Sequence, residues 1–221
     1  MNRLTVMFGG TFDPVHFGHL RAASEINEQL GADDFRLIPA GRPDHRQPPD
    51  ASARHRLAML RLALSAWPDL RVDAREVQRP GSSWTVETLE SLRNEIGAER
   101  PLAFCVGQDA ANQLHRWHRW RDLLDLAHLV IMRRPQSRAD YAPEAERLLS
   151  DRRVDGSSAL LGAASGSVLR LEITPLAISS TAIRALVAKD KNPRFLLPDS
   201  VLGYIREHDL YGAAESRRHK A

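Results

Sequence analysis

The chain is poor in sulfur and in lysine. Cys105 is the single cysteine among 221 residues, so no internal disulfide can form and no cysteine-rich zinc site is available. It lies inside the apolar run Leu102–Val106 and reads as a buried structural thiol. Lysine occurs only as Lys189, Lys191 and Lys220, and the rest of the positive charge is arginine. With 31 basic and 28 acidic residues the net charge is +3. That charge is spread along the chain, too mild for a nucleic-acid binder and suited to anionic small molecules. No apolar stretch approaches the roughly 20 residues that span a bilayer, and no basic segment with an apolar core marks a secretory leader. The expected location is therefore the cytoplasm. Repeats, heptads and low-complexity tracts are missing as well. What remains is an ordinary hydrophobic content of 43%, in a length suited to one domain with a substantial core.

Short apolar runs alternate with helix-period segments from one end to the other. Arg3–Phe8, Phe35–Pro39, Leu70–Ala74, Leu102–Val106, His128–Met132 and Ser167–Ile173 read as strands. Between them, Leu20, Ala23, Ile26 and Leu30 form a helical stripe that stops at Gly31. A second helix runs from Ser52 to Ser65 with Leu57, Leu60 and Leu64 inward. A third follows Gly81–Thr85, with Val86, Leu89 and Ile96 periodic and Gly97 closing it. Leu114–Leu126 reads as helical in pieces. Pro198 opens a final helix through His208. This alternation predicts an α/β fold: a Rossmann-like, doubly wound parallel sheet with helices on both faces and a small C-terminal helical part. One domain is expected over 1–212. It carries an irregular insertion at about 136–166, holding one short helix (143–150) and a mobile loop, and 213–221 is expected to be a disordered tail.

The most informative stretch follows the first strand. Gly9-Gly10-Thr11-Phe12-Asp13-Pro14-Val15-His16-Phe17-Gly18-His19 has the pattern of a strand, a tight loop and a helix start. Glycines without Cβ let the backbone turn sharply and approach a ligand. The free N–H groups of the helix start favour phosphate. His16 and His19, three apart, fall on one side of the helix beside that loop. Two imidazoles so placed can donate hydrogen bonds to phosphoryl oxygens and stabilise charge that develops during transfer. The glycine spacing fits neither the dinucleotide-binding fingerprint nor the P-loop. No third ligand lies nearby in sequence, so no metal site is assigned to the two histidines.

Near the other end, Ile178-Ser179-Ser180-Thr181-Ala182-Ile183-Arg184 repeats the logic. Hydroxyls sit at a helix start where a cap belongs. Arg184, one turn on, can reach the same anion with a planar fork of donors.

Taken together, G-G-T-F-D-P-V-H-F-G-H and I-S-S-T-A-I-R resemble the two signatures of the H-x-G-H nucleotidyltransferase superfamily. His55-Arg56-Leu57-Ala58-Met59-Leu60, Ser83–Leu89, Gly107-Gln108-Asp109 and Trp117-His118-Arg119-Trp120 sharpen the likeness, which is to the bacterial nicotinate-nucleotide adenylyltransferases. The resemblance covers most of the chain and fails between about Gln136 and Gly166. It implies transfer of AMP from ATP, with Mg²⁺, to nicotinate mononucleotide, giving nicotinate adenine dinucleotide and pyrophosphate. It further implies that Gly9, Gly10, Thr11 and Phe12 line the nucleotide cleft and that His16 and His19 contact the ATP phosphates. Ile178, Ser180, Thr181 and Arg184 would hold adenine and triphosphate from the opposite side, with Gly107 and Asp109 against the ribose. Thr85, Trp117 and His118 would form the pyridine pocket, and His45 and Arg46 would meet the acceptor phosphate.

The chain departs from the family pattern in three places. Asp44-His45-Arg46 replaces Pro-His-Lys, keeping the charge with a different geometry. Trp84 stands where tyrosine is common and is expected to pack. His118 also replaces a tyrosine, which matters little if backbone N–H groups recognise the acceptor. The alternatives are transfer to nicotinamide mononucleotide or phosphopantetheine, and a nucleotide-binding protein without catalysis.

Overall fold

A computed structural model describes residues 3–42, 48–133 and 138–212. Seven parallel strands form one sheet: β1 (Thr5–Gly10), β2 (Asp34–Pro39), β3 (Leu70–Val72), β4 (Leu102–Gly107), β5 (His128–Arg133), β6 (Arg153–Val154) and β7 (Val168–Glu172). Their order is β3-β2-β1-β4-β5-β7-β6. The helices are α1 (Phe17–Leu30), α2 (Ala53–Leu64), α3 (Arg75–Gln78), α4 (Thr85–Ile96), α5 (Gln108–Asn112), α6 (Leu123–Leu126), α7 (Pro143–Asp151), α8 (Ser180–Ala188) and α9 (Asp199–Glu207). This is the Rossmann-like α/β arrangement expected from the alternation.

Both faces of the sheet are covered, so its strands are apolar almost throughout. Side chains alternate between two cores. Val6, Phe8, Phe35, Leu37, Ala103, Cys105 and Val130 point to the side packed by α1, α2, α8 and α9. Met7, Ile38, Phe104, Val106, Leu129 and Ile131 point to the side packed by α4, α6 and α7. Arg36 interrupts the second face, and it is held by Asp34 (2.6 Å), Asp73 (3.3 Å) and Glu95 (2.7 Å). Burial raises the Cys105 thiol pKa well above its usual range, in keeping with an inert structural thiol.

The helix stops follow the sequence. Gly31 takes the left-handed conformation (φ 58°) that ends α1 and returns its N–H to Asn27. Ser52 caps α2 and Ser179 caps α8 through their side-chain oxygens. The segment 114–126 is broken into 3₁₀ turns at 114–116 and 120–122 followed by α6.

Four features differ from the sequence reading. β1 runs through Gly9 and Gly10, neither of which has a positive φ, so the turn begins at Thr11. β3 ends two residues early. Helix α3 and the edge strand β6 carry too few residues to show a period. Within the insertion, β6 and a 3₁₀ turn at 157–162 accompany the expected helix.

β1 and β4 are neighbours at the centre, and the chain leaves them in opposite directions: toward β2 on one side, toward β5 on the other. The loops beyond their carboxyl ends therefore diverge and leave a crevice, where open parallel sheets bind ligands.

Candidate active site

The crevice is a cleft of about 1100 Å³. Its first wall is the loop from β1 to α1. Phe12 holds a left-handed backbone (φ 51°), unusual for a bulky residue, and its ring is buried edge-on between Phe8 (6.0 Å) and His19 (5.1 Å). Gly10 makes this possible, because a Cβ there would lie 2.8 Å from the Phe12 ring. The pair of glycines thus serves close packing and a bare cleft wall more than a turn. His16 occupies the N-cap position of α1 in an extended conformation and is buried. His19, one turn on, stacks against it with ring centres 3.8 Å apart and planes 27° apart. Gly18 permits the stack: a Cβ would come within 3.0 Å of His16 Cε1 and Nδ1.

The opposite wall is the start of α8. Ser180 Oγ donates to the Pro14 carbonyl (2.9 Å) and Arg184 Nη1 donates to the Asp13 carbonyl (2.8 Å). These bonds join segments 166 and 171 residues apart in sequence, so the two end motifs share one cleft. His16, His19, Ser180, Thr181 and Arg184 all line it. Arg184 also forms an ion pair with Asp50 through Nε.

Gly107 and Asp109 enter from the end of β4, where Gly107 precedes the first turn of α5. Ile178 lies on the α8 side. Thr85 opens α4, and Trp117 and His118 follow the 3₁₀ turn at 114–116; all three line the cleft. Trp84 does more than pack against the core: its ring stacks on His118 (3.9 Å, 26°) on the cleft wall. Trp117 is half-buried, whereas Trp120 is a core residue. Every site residue anticipated from the sequence lines this one cleft except His45 and Arg46, which lie outside the described residues.

A description of the cytidylyltransferase-like family matches residues 7–186. A protein of Hahella chejuensis named "Probable nicotinate-nucleotide adenylyltransferase" is 46% identical over 96% of this chain and 97% of its own. One of the same name from Pseudomonas aeruginosa is 45% identical over 96% and 99%. The chain belongs to the nicotinate-nucleotide adenylyltransferases of the cytidylyltransferase-like family.

A solved Plasmodium falciparum nicotinic acid mononucleotide adenylyltransferase, described as complexed with NaAD, superposes with TM-score 0.71 over 95% of this chain and 98% of that one. At 14% identity the likeness is one of fold.

Several residues around the cleft have roles that the sequence motifs do not disclose. Arg56 is buried, and its guanidinium donates to Thr11 O (2.7 Å), Gly41 O (2.9 Å) and Ala51 O (3.2 Å). It thereby staples the loop after β1 to the loop after β2 and to the lead-in of α2. Burial lowers its pKa, against the pull of Asp13, Tyr211 and Glu76. The available signal was its place four residues before Leu60, on the apolar face of α2. Glu76 is buried beside the cleft and accepts from Thr88 Oγ1 (2.7 Å); desolvation raises its pKa. Its backbone carbonyl is pressed against Gly41, where a Cβ would stand 2.1 Å away. Asp13 stands inside the first motif, where the sequence assigns it no role. Its buried carboxylate accepts from Asp50 N (2.8 Å), Ala51 N (3.1 Å) and Tyr211 Oη (2.7 Å).

Proposed function

We propose that the chain transfers the AMP moiety of ATP to nicotinate mononucleotide, forming nicotinate adenine dinucleotide and releasing pyrophosphate. The observation that carries this reading is the meeting of the two end motifs and the Thr85–Trp117–His118 wall around one cleft at the sheet's switch point. The curated relatives carry the name of this activity.

In the proposed mechanism an acceptor phosphate oxygen attacks the α-phosphorus of ATP in line, the bond to the β-phosphate bridging oxygen breaks, and pyrophosphate leaves. The acceptor phosphate is already ionised at pH 7, so no general base is required. Catalysis rests on placing the two phosphates and stabilising charge on the oxygens around phosphorus. His16 and His19 supply donors from the α1 side and Arg184 from the α8 side. Gly9, Gly10, Thr11 and Phe12 leave room for the nucleotide along β1. Gly107 and Asp109 meet its ribose, while Ile178, Ser180 and Thr181 hold adenine and triphosphate. Thr85, Trp117 and His118 receive the pyridine ring. His45 and Arg46 are assigned to the acceptor phosphate on the family resemblance.

Mg²⁺ enters with ATP as part of the substrate. Among the described residues no group of three His, Cys, Asp or Glu side chains could hold a metal ion, and phosphate oxygens and water are assigned most of its ligands. Residues 1–212 are read as one catalytic unit working in the cytoplasm. No helix among the described residues is long and apolar enough to cross a membrane.

The deciding assay measures pyrophosphate release with Mg·ATP and, in turn, nicotinate mononucleotide, nicotinamide mononucleotide and phosphopantetheine. Release with the first at the highest kcat/KM is expected. Preference for another acceptor would reassign the substrate, and ATP binding without release with any of them would make the chain a nucleotide binder.

A further inference from the structure

The match to the cytidylyltransferase-like family ends at residue 186, yet a contact to Asp13, which lines the cleft, comes from beyond it. After α9 the chain makes a tight turn, Leu210–Gly212, in which Tyr211 holds a left-handed backbone (φ 60°, ψ 30°). An aromatic residue avoids that region unless its surroundings over-determine it. What holds it is visible. The phenol hydroxyl reaches back 198 positions and donates to Asp13 Oδ1 at 2.7 Å. Burial, and the carboxylate that accepts its hydrogen bond, push the phenol pKa well above the usual range. The hydroxyl is therefore a fixed donor.

Asp13 is where the loops around Arg184 converge. Its other hydrogen bonds fix the backbone N–H groups of Asp50 and Ala51. Its carbonyl accepts from Arg184 Nη1, and its Oδ2 lies 3.9 Å from that same nitrogen. Asp50, so placed, forms the ion pair with Arg184 Nε. Tyr211 is not among the residues that line the cleft; its link to the guanidinium is the shared contact with Asp13.

We propose that Tyr211 is a positioning residue of the reaction: by holding the Asp13 carboxylate, the C-terminal turn sets Arg184 and the Asp50–Ala51 segment in the arrangement that receives the triphosphate. The proposal rests on the reading of the cleft as an ATP site.

Tyr211→Phe removes one oxygen and leaves the ring in place, so the full-length variant should fold, with a melting temperature only a few degrees lower. Losing a hydrogen bond to a charged group is worth about tenfold or more, of which only the part passed on through Asp13 reaches Arg184. The expected result is therefore a rise of about five- to tenfold in the KM and Kd for Mg·ATP, with the KM for nicotinate mononucleotide changing less than about twofold. In Arg184→Lys the same Tyr211→Phe change should cost much less, because the geometry it maintains has already been altered. Unchanged ATP affinity, an equal rise for both substrates, or full additivity with Arg184→Lys would each overturn the proposal. Calorimetric ATP binding separates the two readings. A wild-type chain that binds ATP but releases no pyrophosphate ends the adenylyltransferase reading, while the affinity difference between wild type and Tyr211→Phe still judges Tyr211.

Discussion

At the scale of single residues the cleft is built by what side chains leave room for as much as by what they donate. His16 and His19 can stack at 3.8 Å only because residue 18 has no side chain. Gly18→Ala adds a helix-favouring residue in the first turn of α1, a gain that offsets the cost of crowding the buried His16 ring. The same methyl displaces the His16 ring, and a displacement of an ångström at a reacting centre can cost up to ~10²-fold. Turnover should therefore fall about ten- to hundredfold while the melting temperature holds, read from kcat and thermal unfolding on the same sample. His19→Ala removes the donor altogether and is expected to lower kcat by about 10² or more, as loss of an oxyanion donor does; near-wild-type turnover would remove His19 from the mechanism.

At the scale of elements, the charged cluster under β2 ties the sheet to α3 and α4. Arg36 on β2 and Arg75 on α3 both bond Glu95 on α4. Hydrogen bonding to Arg36, ahead of the contribution of Arg75, holds the Glu95 carboxyl down to about 2 from its ordinary 4.5. A carboxyl whose folded pKa lies below its unfolded one contributes stability above the unfolded value, and that contribution is lost as pH falls toward the folded one. Denaturant unfolding should therefore show stability declining from about pH 4.5 to about 2. Glu95→Gln should be less stable at pH 7 and decline less across that window. The effect should be modest, because the Glu95 side chain is about half exposed and solvent screens the pair.

Elements with a full period were legible in the sequence. Leu20–Leu30, Val86–Ile96 and the runs at Leu102 and His128 needed only their apolar spacing, and Gly31 and Gly97 marked two stops. Short elements were not: Arg153–Val154 has no alternation to read, and the four residues of α3 no stripe. The candidate site was legible where its residues stand together, as in the two end motifs. It was illegible where a side chain works at a distance. Nothing in Leu210-Tyr211-Gly212 points to Asp13, and Trp84 showed no sign that it would stack on His118.

At the scale of the whole molecule, the cleft is closed by segments that meet only when the entire sheet is in place. Ser180 and Arg184 reach Pro14 and Asp13 across the central strands. A ligand gripping both sides should therefore stabilise the folded chain as a unit. At a free concentration of 100 times its Kd, Mg·ATP would add about 2.7 kcal/mol, raising the melting temperature by roughly 5–10 °C for a chain of this size. Arg184→Ala should lose most of that shift at the same ATP concentration in a thermal-shift titration, and a full shift in the variant would place the triphosphate elsewhere.

The same closure has a consequence during synthesis. A nascent polypeptide that has left the ribosome only as far as β5 already displays both imidazoles, yet it has no guanidinium from α8 to face them and no phenol to steady Asp13. Half-made chains would therefore have no complete grip on cellular ATP, and that grip would form only once the closing segments have emerged.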